Sequence, residues 1–284
     1  MRFLFFAFIA IIFISGCGND QEGPSFEEQL AIDIEAIDDY LTDNNIDAEV
    51  HSSGIRYIIN QDGTGENPRV GDDIAIKHSV SFLDNTALGG DTIGLTINLS
   101  PPTIEAWRLM IPEVSEGGSI TFYTPSGYAF GTRGNGAIPS NSILTYDVEL
   151  LAIVENEDEQ LEIDTLIIAE YLEEKNISSQ TDDSGIRFRV ITEGSGVFPD
   201  PGDEIVVKYE GRFLNGNVFD SNDIGIQFPL QNLIEAWKIM IPKMREGGKI
   251  EIYAPSRYCY STSGTIGIPP NTILAFEIEL VEVK

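Results

Sequence analysis

LIEAWKIMIPKMREGGKIEIY, Leu233–Tyr253, decides the fold, because its landmarks occur twice along the chain. IEAW at Ile234–Trp237 repeats Ile104–Trp107, MIP at Met240–Pro242 repeats Met110–Pro112, and EGG at Glu116–Gly118 returns at Glu246–Gly248. Working outward, SGIR occupies Ser53–Arg56 and Ser184–Arg187, and IPxNxIL occupies Ile138–Leu144 and Ile268–Leu274. Ser184 follows Ser53 by 131 residues and Ile234 follows Ile104 by 130, so one residue is gained or lost between these landmarks. Two copies of one scaffold permit an internal comparison. Positions that agree are structural, and positions that diverge separate a working site from a retired one.

The periodicities give a coarse architecture. SGIRYIIN and SGIRFRVI alternate as strands do, and Asp73–Lys77 and Glu204–Lys208 read as further strands after Gly/Pro/Asp-rich breaks at Gly63–Gly71 and Gly194–Gly202. Ser119–Tyr123 and Leu144–Leu151 add two more, matched by Lys249–Tyr253 and Leu274–Val281. Within each β unit only IEAWxxMIP reads as a helix, stopped at Pro112 or Pro242, with Trp on the face of the preceding Ile. Each unit also has a leading helix. Leu30, Ile34, Ile37 and Leu41 share one face after a capping box of Ser25 and Glu28; Asn156, Glu159, Leu161, Ile168 and Leu172 follow suit. Such helices pack on their own domain or act as spacers, since a few turns alone are marginal for dimerisation. The expected fold is α+β: an antiparallel sheet curled around one short helix, twice in tandem. The expected boundaries are 1–17 for an export signal, 18–25 for a tether, 26–154 for the first domain and 155–284 for the second.

A length of 284 residues suits about two domains. The net charge of −29 disfavours nucleic acid and anionic lipid as direct partners. Arg2, the apolar run Phe3–Ile14 and Ser15-Gly16-Cys17 describe an export signal too short to span a membrane. Ile14–Cys17 is similar to the lipobox of bacterial lipoproteins, which implies lipidation of Cys17 and a lipid-anchored place in the cell envelope, at the outer membrane or a periplasmic or surface face. Cys259, the other cysteine, then has no disulfide partner in the chain and reads as a packed small hydrophobe.

No nucleophile–base–acid set stands out. His51 and His78 lack metal-ligand spacing, the GTG and GSG stretches are turns, and Asp72-Asp73 and Asp182-Asp183 read as solvated pairs. No metal or cofactor is expected. The aromatic constellation carries more. KYEGRFLNGNVFDS (Lys208–Ser221) precedes LIEAW (Leu233–Trp237), RYCYS (Arg257–Ser261) and GIPPNTILAFEIEL (Gly267–Leu280). This ordered series resembles the FK506-binding-protein (FKBP) type of peptidyl-prolyl cis-trans isomerase over nearly all of Ser184–Lys284. Ser53 to about Val154 resembles it more weakly.

The resemblance implies a pocket of Tyr209, Phe219, Asp220, Phe228, Leu233, Ile234, Trp237, Tyr260, Ile268 and Phe276. Trp237 would be its floor, and the Ile234 N–H and the Tyr260 hydroxyl would hold carbonyls flanking the substrate proline. It implies isomerisation of X–Pro bonds in unfolded or partly folded exported proteins, or, alternatively, their binding by a non-catalytic chaperone or assembly factor. The shortened Leu230–Leu233 and Tyr260–Pro269 segments, and Ser261 where the family often has Gly, depart from the pattern at the rim. Taken singly, each aromatic reads as core; grouped around Asp220 they read as a pocket. The first copy has His78 for Tyr209, Leu88 for Phe219, Gly89 for Asp220, Ile97 for Phe228, Phe130 for Tyr260 and Tyr146 for Phe276, while Ile104 and Trp107 are kept. It is expected to bind or space rather than catalyse.

Overall fold

The computed structural model describes residues 23–284; Cys17 and the expected export signal lie outside them. The first half runs α1 (Phe26–Asp43), β1 (Glu49–Val50), β2 (Arg56–Gln61), β3 (Asp73–Phe82), β4 (Ala87–Asn98), α2 (Glu105–Met110), β5 (Ser119–Thr124) and β6 (Leu144–Val154). The second runs α3 (Glu157–Glu174), β7 (Gln180–Thr181), β8 (Arg187–Thr192), β9 (Glu204–Phe213), β10 (Val218–Pro229), α4 (Glu235–Met240), β11 (Lys249–Ala254) and β12 (Leu274–Val283). Each half folds its six strands into one antiparallel sheet, ordered β1-β2-β5-β6-β3-β4 and β7-β8-β11-β12-β9-β10. The expected α+β architecture is present in both copies.

Burial explains the curl. Along β6 Leu144, Tyr146, Val148 and Leu150 are buried on one face, and Trp107 and Met110 of α2 pack into the same core. Leu274, Phe276, Ile278 and Leu280 of β12 do the same with Trp237 and Met240 of α4. The period of two along the strand meets the helix face, and the sheet bends around it.

Strands β4 and β10 have no counterpart among the sequence expectations; Gly94 and Gly225 sit in their bulges, where the register shifts against β3 and β9. Two of those expectations need correction. Pro112 and Pro242 do not stop the chain at once. They enter 3-10 turns at Ile111–Glu113 and Ile241–Lys243, where a helical first turn tolerates a missing N–H. Asp182 is not a solvated residue: it is paired with Lys243, and Ser184 donates to it through its N–H at 3.1 Å and its hydroxyl at 2.7 Å. Burial pushes its carboxyl up, but these donors outweigh it and hold the group at about 2.

The leading helices pack on their own domains through a device the periodicity hides. Asp33 on α1 accepts from the Ser126 N–H at 2.8 Å and the Ser126 hydroxyl at 2.6 Å; Asp164 on α3 accepts both bonds from Ser256 at 2.6 Å. A buried carboxylate thus ties each helix to the turn after β5 or β11. The Ser25–Glu28 capping box forms in full. Asn156 caps α3 through Asp158 and Glu159, but the Glu159 carboxylate reaches the Glu155 N–H instead of the cap residue.

Only Glu155 and Asn156 separate β6 from α3, and α3 also meets the first half. Gln160 Nε2 donates to Thr96 Oγ1 at 3.0 Å, and Lys77 Nζ lies 2.6 Å from Glu170 Oε1. Ile93 and Leu151 join Ile163 and Ile167 in one apolar cluster across the seam. Among the described residues no helix is long and apolar enough to cross a membrane.

Candidate functional site: the aromatic cluster of the second half

The second half gathers its aromatics from five places. Tyr209 stands on β9, Phe219, Asp220 and Phe228 on β10, Trp237 on α4, Tyr260 in the turn after β11, and Phe276 on β12. Trp237 is 4% exposed and Phe276 3%, so they form a floor. The Trp237 ring meets Tyr209 at 5.1 Å and Phe276 at 5.6 Å, both edge to face, and Phe219 stands edge-on to Phe276 at 5.8 Å. Such edge contacts are the favoured geometry of aromatic pairs. Phe228, Leu233, Ile234, Tyr260 and Ile268 pack against the same core. The structure therefore brings together nine of the ten sequence-derived residues in one cluster. The tenth, Asp220, is exposed and joins through Tyr209, whose hydroxyl donates to Asp220 Oδ2 at 2.6 Å.

Electrostatics keep both tyrosines as donors. Burial, then the bond to Asp220, pushes the Tyr209 phenol well up. Burial, then the neighbouring Cys259 and Asp220, raises Tyr260. Ile234 caps α4 with extended backbone (ψ 153°). Among the described residues neither its N–H nor the Tyr260 hydroxyl donates to a protein acceptor. Cys259 packs beside them, its thiol pushed far up by burial, as a small hydrophobe rather than a nucleophile. No group of three or more His, Cys, Asp or Glu side chains among the described residues is placed to hold a metal.

One residue escaped the sequence reading. Gly211 on β9 pairs with Phe276, and a Cβ there would lie 2.6 Å from Phe219 Cζ and 3.1 Å from Phe276 Cε1. Only a bare backbone lets Phe219, the extra residue in the bulge between Val218 and Asp220, lie over the floor. The signal was present as a glycine inside the strand YEGRF.

A family model described as "FKBP-type peptidyl-prolyl cis-trans isomerase" matches residues 65–151 and again residues 196–281, more than half of the chain. The chain belongs to this family. It is 39% identical over 105 residues to peptidyl-prolyl cis-trans isomerase Mip of Coxiella burnetii, covering 36% of this chain and 46% of the relative. It is 32% identical over 117 residues to FkpA, an FKBP-type peptidyl-prolyl cis-trans isomerase of Escherichia coli K12, covering 40% and 43%. The match thus spans less than half the length of these curated relatives. The crystal structure of FkpA from Escherichia coli aligns at a TM-score of 0.40 and 30% identity over 45% of this chain and 62% of that one.

The two FKBP-type halves differ at the site. In the first, His78 stands edge-on to Trp107 at 4.9 Å, and Trp107 stands edge-on to Tyr146 at 5.8 Å, so the floor persists. Burial lowers the His78 pKa, against the pull of Asp91, and leaves the imidazole neutral near pH 7. Leu88, Phe130 and Ile138 line the core edge, and Gly89 brings no carboxylate. Val80 occupies the place of Gly211, so the notch that admits Phe219 in the second FKBP-type half is filled.

Proposed function

We propose that the second half, within a domain spanning 155–284, catalyses cis/trans isomerisation of X–Pro bonds in exported proteins. The first, spanning 26–154, binds chain segments with little or no turnover. The observation that carries this is the Tyr209–Asp220 hydrogen bond set over the Trp237–Phe276 floor, with no counterpart of either polar group in the first half.

The chemistry needs no proton transfer. Rotation about a peptide bond is opposed by ~18–20 kcal/mol of barrier, because resonance gives the C–N bond double-bond character. Water favours the charge-separated resonance form, which the twisted bond loses. An aromatic enclosure of Phe219, Trp237 and Phe276 withdraws that ground-state help, and a few fixed donors favour the twisted imide. The Ile234 N–H and the Tyr260 hydroxyl are the donors for carbonyls flanking proline. Asp220 fixes the Tyr209 ring as one wall. X–Pro isomerisation otherwise takes roughly tens to hundreds of seconds, slow enough to limit folding.

Lipidation of Cys17 would hold the protein in the cell envelope, where exported chains fold. Fractionation of the intact chain and of Cys17→Ser tests the anchor: loss of membrane partition in the variant supports it, and equal partition removes it. The enzyme reading is tested by a proline-isomerisation assay on the full chain beside Phe219→Ala and Asp220→Val. Acceleration lost in both variants supports it; no acceleration by the unsubstituted chain ends it. A second reading, binding of unfolded chains without catalysis, is favoured by the near-complete burial of Trp237, which leaves the floor behind its rim. Suppressed client aggregation with no isomerisation would select that reading.

A further inference from the structure

The repeat carries an interface as well as a pocket. At the seam inside the chain, Ile93 in the β4 bulge and Leu151 on β6 pack against Ile163 and Ile167 of α3. Gly94, at φ +133°, makes this possible: a Cβ there would lie 2.8 Å from Ile167 Cδ1. Ile167 therefore seats directly on the backbone of the bulge. The Gln160–Thr96 hydrogen bond and the Lys77–Glu170 ion pair flank it.

Both sides of this seam recur elsewhere in the chain, each without the matching apolar side against it among the described residues. The receiving side returns in the second half as Ile224, Gly225, Val281 and Lys208, at the repeat positions of Ile93, Gly94, Leu151 and Lys77. The bulge is built alike. Asp91 Oδ1 accepts from the Gly94 N–H at 2.8 Å, and Asn222 Oδ1 accepts from the Gly225 N–H at 2.8 Å. Gly225 keeps φ at +113°, and a Cβ there would come no closer than 3.4 Å to Val206. The inserting side returns on α1 as Ile32, Gln29 and Asp39, at the positions of Ile163, Gln160 and Glu170. Burial separates the two sets: Ile224 is 88% exposed, Ile32 53% and Val281 38%. Clustered apolar exposure of this kind marks interaction surfaces.

We propose that a second copy of this chain docks head to tail, the Ile224–Gly225 bulge and Val281 of one copy receiving helix α1 of the next. Lys208, which lies 3.3 Å from Glu279 Oε1 of its own chain, then also faces Asp39 of the incoming helix, as Lys77 faces Glu170 within the chain. The contact is heterologous, so repetition closes a ring or extends a filament. It is weaker than the internal seam for three reasons. Ala36 stands at the position of Ile167 and inserts less side chain, and Gln227 replaces Thr96. The internal seam is also aided by the two-residue link between β6 and α3. Finally, copies carrying a net charge of −29 repel, so added salt strengthens the association.

Cross-linking with a short bis-maleimide tests this on the full chain carrying Cys17→Ser, in which Cys259 is shielded by packing. Ile32→Cys and Ile224→Cys are made as separate proteins and mixed. The expected result is a covalent dimer several-fold more abundant in the mixture than in either protein alone, rising with salt. It should also exceed a mixture of Ile32→Cys with Ile266→Cys, since Ile266 is fully exposed but lies off the proposed contact. A mixture that cross-links no better than the Ile266 pairing overturns the proposal, and so does Ile32→Cys cross-linking best with itself.

Discussion

The Tyr209 hydroxyl donates to Asp220 at 2.6 Å while the Tyr209 ring stands edge-on to Trp237 at 5.1 Å. One side chain thus couples the exposed polar rim to the buried floor. Tyr209→Phe and Asp220→Asn should each lower kcat/KM about 5-fold, the scale of a charge-assisted hydrogen bond discounted for exposure. The double variant should lose little more than either alone. A double-mutant cycle on a proline peptide checks this, and additive losses would show that the two groups act independently.

Gly211 yields a sharper prediction, because its role is steric. Gly211→Ala places a Cβ where Phe219 Cζ now comes within 2.6 Å, so the ring must leave the floor. A loss of about 10-fold in kcat/KM is expected, with a fall of roughly 1–3 kcal/mol in stability from overpacking. Thermal melts beside the kinetics separate the two effects. Unchanged kcat/KM would mean that the position of Phe219 is unimportant.

The tie between α3 and its sheet should respond to pH. Burial pushes the Asp164 carboxyl up to about 6, against the donors Ser256 and Gln160. A carboxyl raised in the folded state stabilises the fold fully below its unfolded value of about 4, and that contribution is lost as pH rises through 6. Asp164→Asn removes the titration. The stability of the unsubstituted chain relative to this variant should therefore fall between about pH 4 and 6 and level off above. Denaturant melts across that range read the difference; a difference growing with pH would contradict the assignment.

Gly94 and Gly225 test the seam within one chain. Both have positive φ, so an alanine strains the backbone at either position, but only at Gly94 does it meet Ile167. Gly94→Ala should lower stability by about 1–3 kcal/mol more than Gly225→Ala. Equal losses would place Ile167 off the bulge.

The sequence made the scaffold legible where physics is local. Leu144–Leu151 alternates and forms a strand, and the Ser25–Glu28 spacing forms its capping box. It failed where tertiary contacts override local preference. β4 and β10 contain glycines, which disfavour a strand in isolation, yet Gly89 and Gly90 pair in register with β3 and Gly94 and Gly225 sit in bulges of the paired strands. Asp33 and Asp164 sit on helix faces that an apolar periodicity passes over, and only the approach of Ser126 and Ser256 explains them. The aromatic floor was legible from the motif order that carries the family resemblance. Gly211 was not, because what it permits depends on Phe219 and Phe276 arriving from two other strands.

The most direct measurement is the isomerisation rate of a proline peptide with the full chain, with Phe219→Ala/Asp220→Val, and with Leu88→Ala in the first half. Catalysis centred on the second half predicts acceleration by the unsubstituted chain and by Leu88→Ala, and the uncatalysed rate with the double variant. Acceleration that survives Phe219→Ala/Asp220→Val, or falls with Leu88→Ala, would place the activity elsewhere and contradict the account.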